Sequence, residues 1–421
     1  MYDTSVLEID LSAVDHNMRL LRRIVGPRCG ICPVVKADAY GLGAVRIARR
    51  LFQAGADMLA VYTARQAAEL VGAAVGGDLL VLMPLRTIGR ADGLYRALVC
   101  GRLHLSVHGG DHLEDLVRLS ERYAVCIPLH VELDTGMSRG GCGLDEAPAV
   151  LEHIARHPRL RLAGLYTHFA SAETDERQTS VQEARFDRIV CEHGPLIPPG
   201  CLIHAANTCA TLRDPRHHRT MVRIGAAWAG YGVELIRGGR MIPDATSLQP
   251  AVTWSSRITQ VKHIEAGVTV GYGARWTARR RSLIGLVPVG YADGYPYSLG
   301  GNGEHAGGRV AVLVDTPHGC LRSYAPVVGA VNMDQITIDL TDLAGQADVS
   351  SRPGVGTPVE LISPDREAPN HLVTLAQAAG TIPYELLCRL NPKIRRVYHE
   401  SPAAIEVFAS PADAAIPAAA G

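Results

Sequence analysis

A lysine that directly follows an apolar run is the first residue in this sequence that invites chemistry. Ile31–Val35 reads as a buried strand, and the chain continues at once into Lys36, with Tyr40 four residues on. A lysine stripped of water gives up its proton more easily and can add to a carbonyl as a Schiff base. Other apolar runs end in polar groups of the same kind. LDTGMSRGG brings Arg139, GLYTHFA brings His168, HAANT brings Asn207 and Thr208, and VRIGAA brings Arg223 with Gly225 and Ala226 behind it. A lone polar group at a strand end is ordinary. A succession of them predicts one shared site, with glycine backbone able to come close to an anion.

Such residues need a scaffold that gathers strand ends on one face. The strand candidates are Ile31–Val35, Met58–Tyr62, Leu79–Leu82, Leu103–Val107, Ile127–Leu133, Leu162–Thr167, Leu202–Ala205 and a short run near Arg223–Ala227. Helical patterns such as Ala44–Ala54, Ala64–Val71, His112–Tyr123, Ala147–Arg156 and Glu176–His193 lie between them. Strands and helices alternating at this spacing predict a parallel sheet, and eight units fit a (β/α)8 barrel over residues 1–243. An open, doubly wound sheet is the alternative. After Pro243 the rhythm changes to alternating strands, among them Val252–Val261, Leu283–Val289, Val310–Val314 and Gln335–Leu340, cut by Gly, Pro and Asp turns. That predicts a mainly antiparallel β domain over 244–400, followed by a flexible tail over 401–421. In a barrel the active site lies at the C-terminal strand ends, and phosphate sites favour the loops after the seventh and eighth strands, where Thr208 and Gly225 fall.

Composition narrows the partners. The chain has 421 residues, and 42 Lys+Arg balance 42 Asp+Glu, which argues against a nucleic-acid binder and a polybasic membrane protein. The start is polar and acidic, without the marks of a signal peptide, and no apolar run is long enough to span a bilayer, so the expected place is the cytoplasm. Rings are lopsided toward tyrosine, 14 against 4 Phe and 3 Trp, so most carry a hydroxyl. Cys29 and Cys32 form a lone CxxC pair, read as small residues entering a strand. His104, His108 and His112 share a spacing of four, but Gly109 and Gly110 interrupt any helix there, so no metal is expected.

Taken together, VVKADAYGLG, DTGMSRGG, THFA, HAANT, VRIG, VGYG, GYADGY and VNMDQ occur in an order that resembles the alanine racemases, from about residue 5 to residue 398. The resemblance implies a barrel joined to a β domain, pyridoxal 5'-phosphate (PLP) as cofactor, a small amino acid as substrate, and a homodimer with shared active sites. Lys36 would form the internal aldimine and serve as base on one face of the substrate α-carbon. Tyr272 would be the acid/base on the other face, reaching in from the partner subunit, with His168 behind it. Arg223 would meet the pyridine nitrogen, and Arg139 the phenolic oxygen of PLP and the substrate. The phosphate would be held by Tyr40, Asn207, Thr208, Gly225, Ala226 and Tyr384, while Met333 and Tyr291 would lie near the substrate carboxylate. Racemisation needs two bases flanking one carbon. A phenol ordinarily titrates at about 10, so a tyrosine base needs cationic or hydrogen-bonding neighbours.

Some positions depart from the family pattern. Glu132 stands where many members carry a carbamylated lysine, and is expected to pair with Arg139. Thr208 replaces the commoner serine and keeps its hydroxyl. Asn332 and Tyr297 are unusual near the expected substrate entrance, and bear on specificity. A serine or broad-specificity racemase is the alternative on this scaffold. A related PLP decarboxylase is expected to carry a glycine triplet and a late catalytic cysteine motif, neither of which occurs. A non-catalytic PLP-binding protein is a lone barrel, without the second domain that bears Tyr272.

Overall fold

The structure is a computed structural model; it describes residues 3–400 apart from 233, 235, 237–239, 303–306, 317–318 and 347–351. The expected tail over 401–421 lies outside the described residues. Strand β1 (Ser5–Asp10) leads into a helix over Leu11–Val25, whose first turn Asp10 caps by accepting the N–H groups of Ser12 at 2.7 Å and Ala13 at 3.2 Å.

Eight parallel strands follow: β2 (Gly30–Pro33), β3 (Met58–Val61), β4 (Asp78–Val81), β5 (Leu103–Val107), β6 (Ile127–Glu132), β7 (Leu160–Tyr166), β8 (Leu202–His204) and β9 (Met221–Ile224). Strands β3 to β8 form a continuous parallel sheet in chain order, and β2 pairs with β9. The Val34–Ala60 bridge joins β2 to β3, and the Arg223 N–H donates to the Ala206 carbonyl across the remaining seam. The barrel expected from the βα rhythm is therefore present, and the doubly wound alternative is not.

Its interior is divided. On one side Cys32, Val34, Met58, Ala60, Leu80 and Met221 pack as an apolar cluster. On the other, β5, β6, β8 and β9 turn polar residues inward: His104, Ser106, His130, His204 and Arg223, all buried. Branched aliphatic side chains are the usual filling.

The second unit is mainly antiparallel, as expected. Its larger sheet runs Gly319–Pro326, Arg309–Thr316, Pro358–Ile362, Val252–Arg257, β1, Arg395–His399. Only the last pair is parallel, and β1 thus belongs to this sheet rather than to the barrel. A three-stranded sheet of Gln260–Ile264, Ser282–Val287 and Ile336–Asp339 lies beside it, with a short hairpin of Thr269–Val270 and Trp276–Thr277. Among the described residues no helix is long and apolar enough to cross a membrane.

Candidate active site

The segment after β2 takes a form that its residue types do not announce. Ala37, Asp38, Ala39 and Tyr40 all have φ between +52° and +57°, so the turn over Lys36–Gly41 is left-handed. Each such residue costs roughly 1–2 kcal/mol in an L-chain. Packing holds it in place. The Asp38 carboxylate accepts the Ala44 N–H at 2.6 Å, Arg396 donates from Nε and Nη2 to the Gly41 carbonyl at 3.1 and 3.0 Å, and the Tyr398 hydroxyl donates to the Leu42 carbonyl at 2.9 Å. A methyl on Gly43 would strike the Tyr398 hydroxyl, which is why glycine stands there. The last strand of the β domain therefore clamps the turn that begins with Lys36.

Around Lys36 the charges are mutually felt. Burial, and then the Arg139 guanidinium, push the Lys36 amine below the usual lysine range. Burial pushes the His168 imidazole far down, helped by Arg223, Arg139 and Lys36. These four expected site residues therefore share one neighbourhood. Arg139 is presented by a loop in which the Asp134 carboxylate accepts three successive backbone N–H groups, from Gly136, Met137 and Ser138, at 3.0 Å each.

Arg223 is only 3% exposed. Its Nη1 donates to His204 Nδ1 at 2.9 Å, and its Nη2 donates to the Thr167 carbonyl at 2.7 Å and to His168 Nδ1 at 3.1 Å. Its Nε makes no hydrogen bond among the described residues. The guanidinium also lies 5.1 Å from the Tyr166 ring centroid.

A cup of hydroxyls lies at Gly225. A methyl added there would stand 3.1 Å from the Tyr40 hydroxyl, 3.5 Å from Thr208 Oγ1 and 3.6 Å from the Tyr384 hydroxyl. The Gly225 N–H donates to Thr208 Oγ1 at 2.9 Å, and Tyr384 interacts with Thr208 and the Ala226 backbone. Tyr40 and Tyr384 meet with centroids 5.5 Å apart, and burial raises both phenols, which keeps them neutral donors. The Tyr40 hydroxyl has no hydrogen-bond partner among the described residues. Neutral hydroxyls and main-chain N–H groups converging on a glycine suit an oxyanion the size of phosphate. Asn207 acts behind this cup: its side-chain oxygen caps the Thr208–Arg213 helix by accepting the Ala210 N–H at 3.0 Å.

One expected pairing is not made. Glu132 forms no ion pair with Arg139. Its Oε2 accepts from the Tyr166 hydroxyl at 3.0 Å and lies 3.3 Å from His108 Nδ1. Inward from β6, it is reached first by neighbours on β5 and β7. His168, expected behind the partner subunit's Tyr272, accepts from Arg223 at Nδ1. Tyr272 itself is 78% exposed, on a turn framed by Gly271 and Gly273, both at positive φ. Tyr291, Tyr297 and Met333 are exposed as well, with the Tyr291 N–H bonded to the Asn332 carbonyl and Arg275 over the Tyr297 ring at 5.3 Å. Among the described residues no hydrogen bond or ion pair links these residues to Lys36.

The match to known proteins runs along both units. The family model described as the alanine racemase N-terminal domain matches residues 9–233, and that described as the alanine racemase C-terminal domain matches residues 251–398. The chain belongs to the alanine racemase family. The alanine racemase of Synechocystis sp. is 32% identical over 394 residues, which cover 93% of this chain and 98% of the relative. The solved alanine racemase from Streptomyces coelicolor A3(2) superposes with a TM-score of 0.80 at 31% identity, covering 94% of this chain and 98% of that one. The alanine racemase from Bartonella henselae, solved with covalently bound pyridoxal phosphate, gives a TM-score of 0.74 at 25% identity and covers 94% and 99%. Alanine racemases are PLP-dependent isomerases, so an amine and an anion cup at one barrel end are what this family requires.

The remaining sequence features resolve simply. Cys29 and Cys32 are buried thiols in and beside β2, pushed by burial up to about 11 and about 12. His108 and His112 reach the carbonyls of Leu82 and Leu85. His104 does something the spacing did not suggest: its ring turns into the barrel and meets His130. The signal was available in LHLSV and PLHVE, where polar residues alternate with leucines and valines.

Proposed function

We propose that the protein interconverts L- and D-alanine with PLP as cofactor, by a two-base reaction shared between two copies of the chain. The observation that supports this most directly is the cup at Gly225 within the same site as a desolvated Lys36. Its three hydroxyls, of which the Tyr40 oxygen has no hydrogen-bond partner among the described residues, fit the phosphate, and the Arg223 Nε–H fits a ring nitrogen. When bound, the cofactor delocalises the electron pair left on the substrate α-carbon. Arg223, which can donate but not readily accept a proton, would leave the ring nitrogen unprotonated and so restrain side reactions. Lys36 would anchor the group covalently and move a proton at Nζ on one face. Its lowered pKa leaves more neutral amine at a given pH than an ordinary lysine has.

The opposite face belongs to the Tyr272 hydroxyl of the partner subunit. Tyr272 stands exposed with Tyr291, Tyr297 and Met333 on the β domain, a set of large side chains suited to closing another barrel's mouth. Dimers of this isologous kind are the commonest oligomers. Arg139 would orient the cofactor's phenolic oxygen and the substrate carboxylate, with Tyr291 and Met333 near that carboxylate. Tyr384 and the partner subunit's Tyr272 would narrow the pocket and so favour alanine over larger side chains. Residues 1–243 and 244–400 would be the two working units, in the cytoplasm.

The test is to purify the protein, quantify PLP released by alkali, and assay racemisation of alanine, serine and lysine side by side. One PLP per chain with alanine turned over fastest is expected. Absence of bound PLP would refute the reading, and serine turned over faster than alanine would shift it to the broader racemase.

A further inference from the structure

Behind Arg223 the barrel interior holds a line of three imidazoles. Arg223 Nη1 meets His204 Nδ1 at 2.9 Å, His204 Nε2 meets His130 Nδ1 at 2.9 Å, and His130 Nε2 meets His104 Nδ1 at 2.9 Å. His104 Nε2 then faces Asp78 Oδ2 at 3.7 Å, at the N-terminal end of β4. His204 and His130 are fully buried and His104 is nearly so. The line thus crosses the barrel from the cofactor end to the opposite mouth, where the Asp78 side chain is about half exposed.

Neighbouring strands are shaped to admit it. A methyl on Gly164 would lie 2.2 Å from His130 Nδ1, so β7 carries glycine where the His130 ring sits, and the β6–β7 register shifts at Leu129/His130. The Tyr166 ring stacks on His204 at 4.8 Å with an 11° tilt.

The chemistry of the first member fixes all the rest. A guanidinium has five N–H donors and no acceptor. His204 must therefore accept at Nδ1 and carry its proton on Nε2. That proton points at His130 Nδ1, so His130 is also protonated on Nε2, and by the same step so is His104. Every N–H then points away from Arg223, toward the Asp78 carboxylate. A second proton on any ring would set two donors against each other. Burial, reinforced by the positive charges of Arg223 and Arg161 and by the adjoining rings, holds His130 and His204 far below the usual histidine range, in keeping with neutral rings.

We propose that His204, His130 and His104 are positioning residues for Arg223, forming a one-way hydrogen-bond chain that is directed at the Asp78 carboxylate and fixes the guanidinium from the far end of the barrel. Aligned hydrogen bonds polarise one another in a medium of low dielectric. The Asp78 charge is thereby transmitted as a more basic Nδ1 on His204, and a firmer hold on Nη1. Its consequence for the cofactor rests on Arg223 being a cofactor ligand; the order of the protons does not.

The experiment is a ring-nitrogen spectrum of the 15N-histidine-labelled holoenzyme, assigned with single-histidine variants. His204, His130 and His104 should each show a bare Nδ1 and a protonated Nε2 at neutral pH, and the buried His204 and His130 should stay neutral at a pH where an ordinary imidazole has taken up its second proton. A protonated Nδ1 on any of the three would overturn the proposal, whatever the enzyme's activity. The variants carry the functional half. His130→Leu cuts the line, and should mix the His204 tautomers and weaken PLP roughly 10- to 100-fold, as loss of a partner behind a ligand does. His130→Gln can accept at Oε1 and donate at Nε2 in the same order, and should restore both. A folded His130→Leu protein with wild-type PLP affinity and an unmixed His204 would overturn the positioning role.

Discussion

Tyr40 offers a clean perturbation, because its hydroxyl is assigned to the cofactor phosphate and makes no hydrogen bond among the described residues. The ring is 6% exposed and packs against Tyr384 and Trp228, with centroids 5.5 and 6.1 Å away. Tyr40→Phe keeps that packing. The oxygen it removes makes no hydrogen bond among the described residues, so the cofactor-free protein loses no bond and should melt at or slightly above the wild-type temperature. A phosphate seated at Gly225 would lose one charge-assisted hydrogen bond, worth about 1.5–3 kcal/mol. The dissociation constant for PLP should then rise by roughly 10- to 150-fold, since each 1.4 kcal/mol is about tenfold. Equilibrium dialysis of PLP against the cofactor-stripped variants, with a thermal melt of the same samples, reads both effects. An unchanged melting temperature together with an unchanged PLP affinity would refute the placement of the phosphate.

Other expectations follow from the barrel interior. Gly164→Ala forces a methyl against His130 and should cost about 1–3 kcal/mol of stability by overpacking, visible in a denaturant titration; a neutral result would mean the ring is not where the structure has it. The buried rings His130 and His204 have folded pKa values depressed below the unfolded value of about 6.5. The unfolded chain takes up protons that these rings refuse, so their contribution is present above about pH 6.5 and is lost as the pH falls below it. Melts across that range should show stability falling with acid, less steeply once His130→Gln removes one ring. Glu132→Gln disturbs the carboxylate that accepts from Tyr166 and faces His108, and should lower turnover or PLP affinity by about five- to tenfold. Full activity and affinity in that variant would make Glu132 a bystander.

The barrel was legible because its signal is local. Apolar runs bounded by helical patterns lie within tens of residues of their partners, and Leu103–Val107 and Ala147–Arg156 occur with the expected bounds. Strand β1 was not legible, because its partners lie at Val252–Arg257 and Arg395–His399, far along the chain. Nor was the left-handed turn after Lys36. Ala, Asp, Ala and Tyr have no preference for positive φ, and contacts from Arg396 and Tyr398 impose it. For the site, Lys36, Arg139, His168 and Arg223 could be read as strand-end groups. Glu132 could be located but not partnered, since its neighbours depend on which side chains the adjacent strands turn inward. His104 and His130 were hidden by the habit of expecting aliphatic residues inside a barrel.

The two-base account rests on Tyr272, which stands exposed on one chain and is assigned to the site of the other. The most direct test follows each alanine enantiomer with Tyr272→Phe holoenzyme in deuterated water. The account predicts that one enantiomer still exchanges its α-hydrogen, through Lys36, while interconversion falls by at least about 100-fold. Racemisation of both enantiomers at the wild-type rate would contradict it.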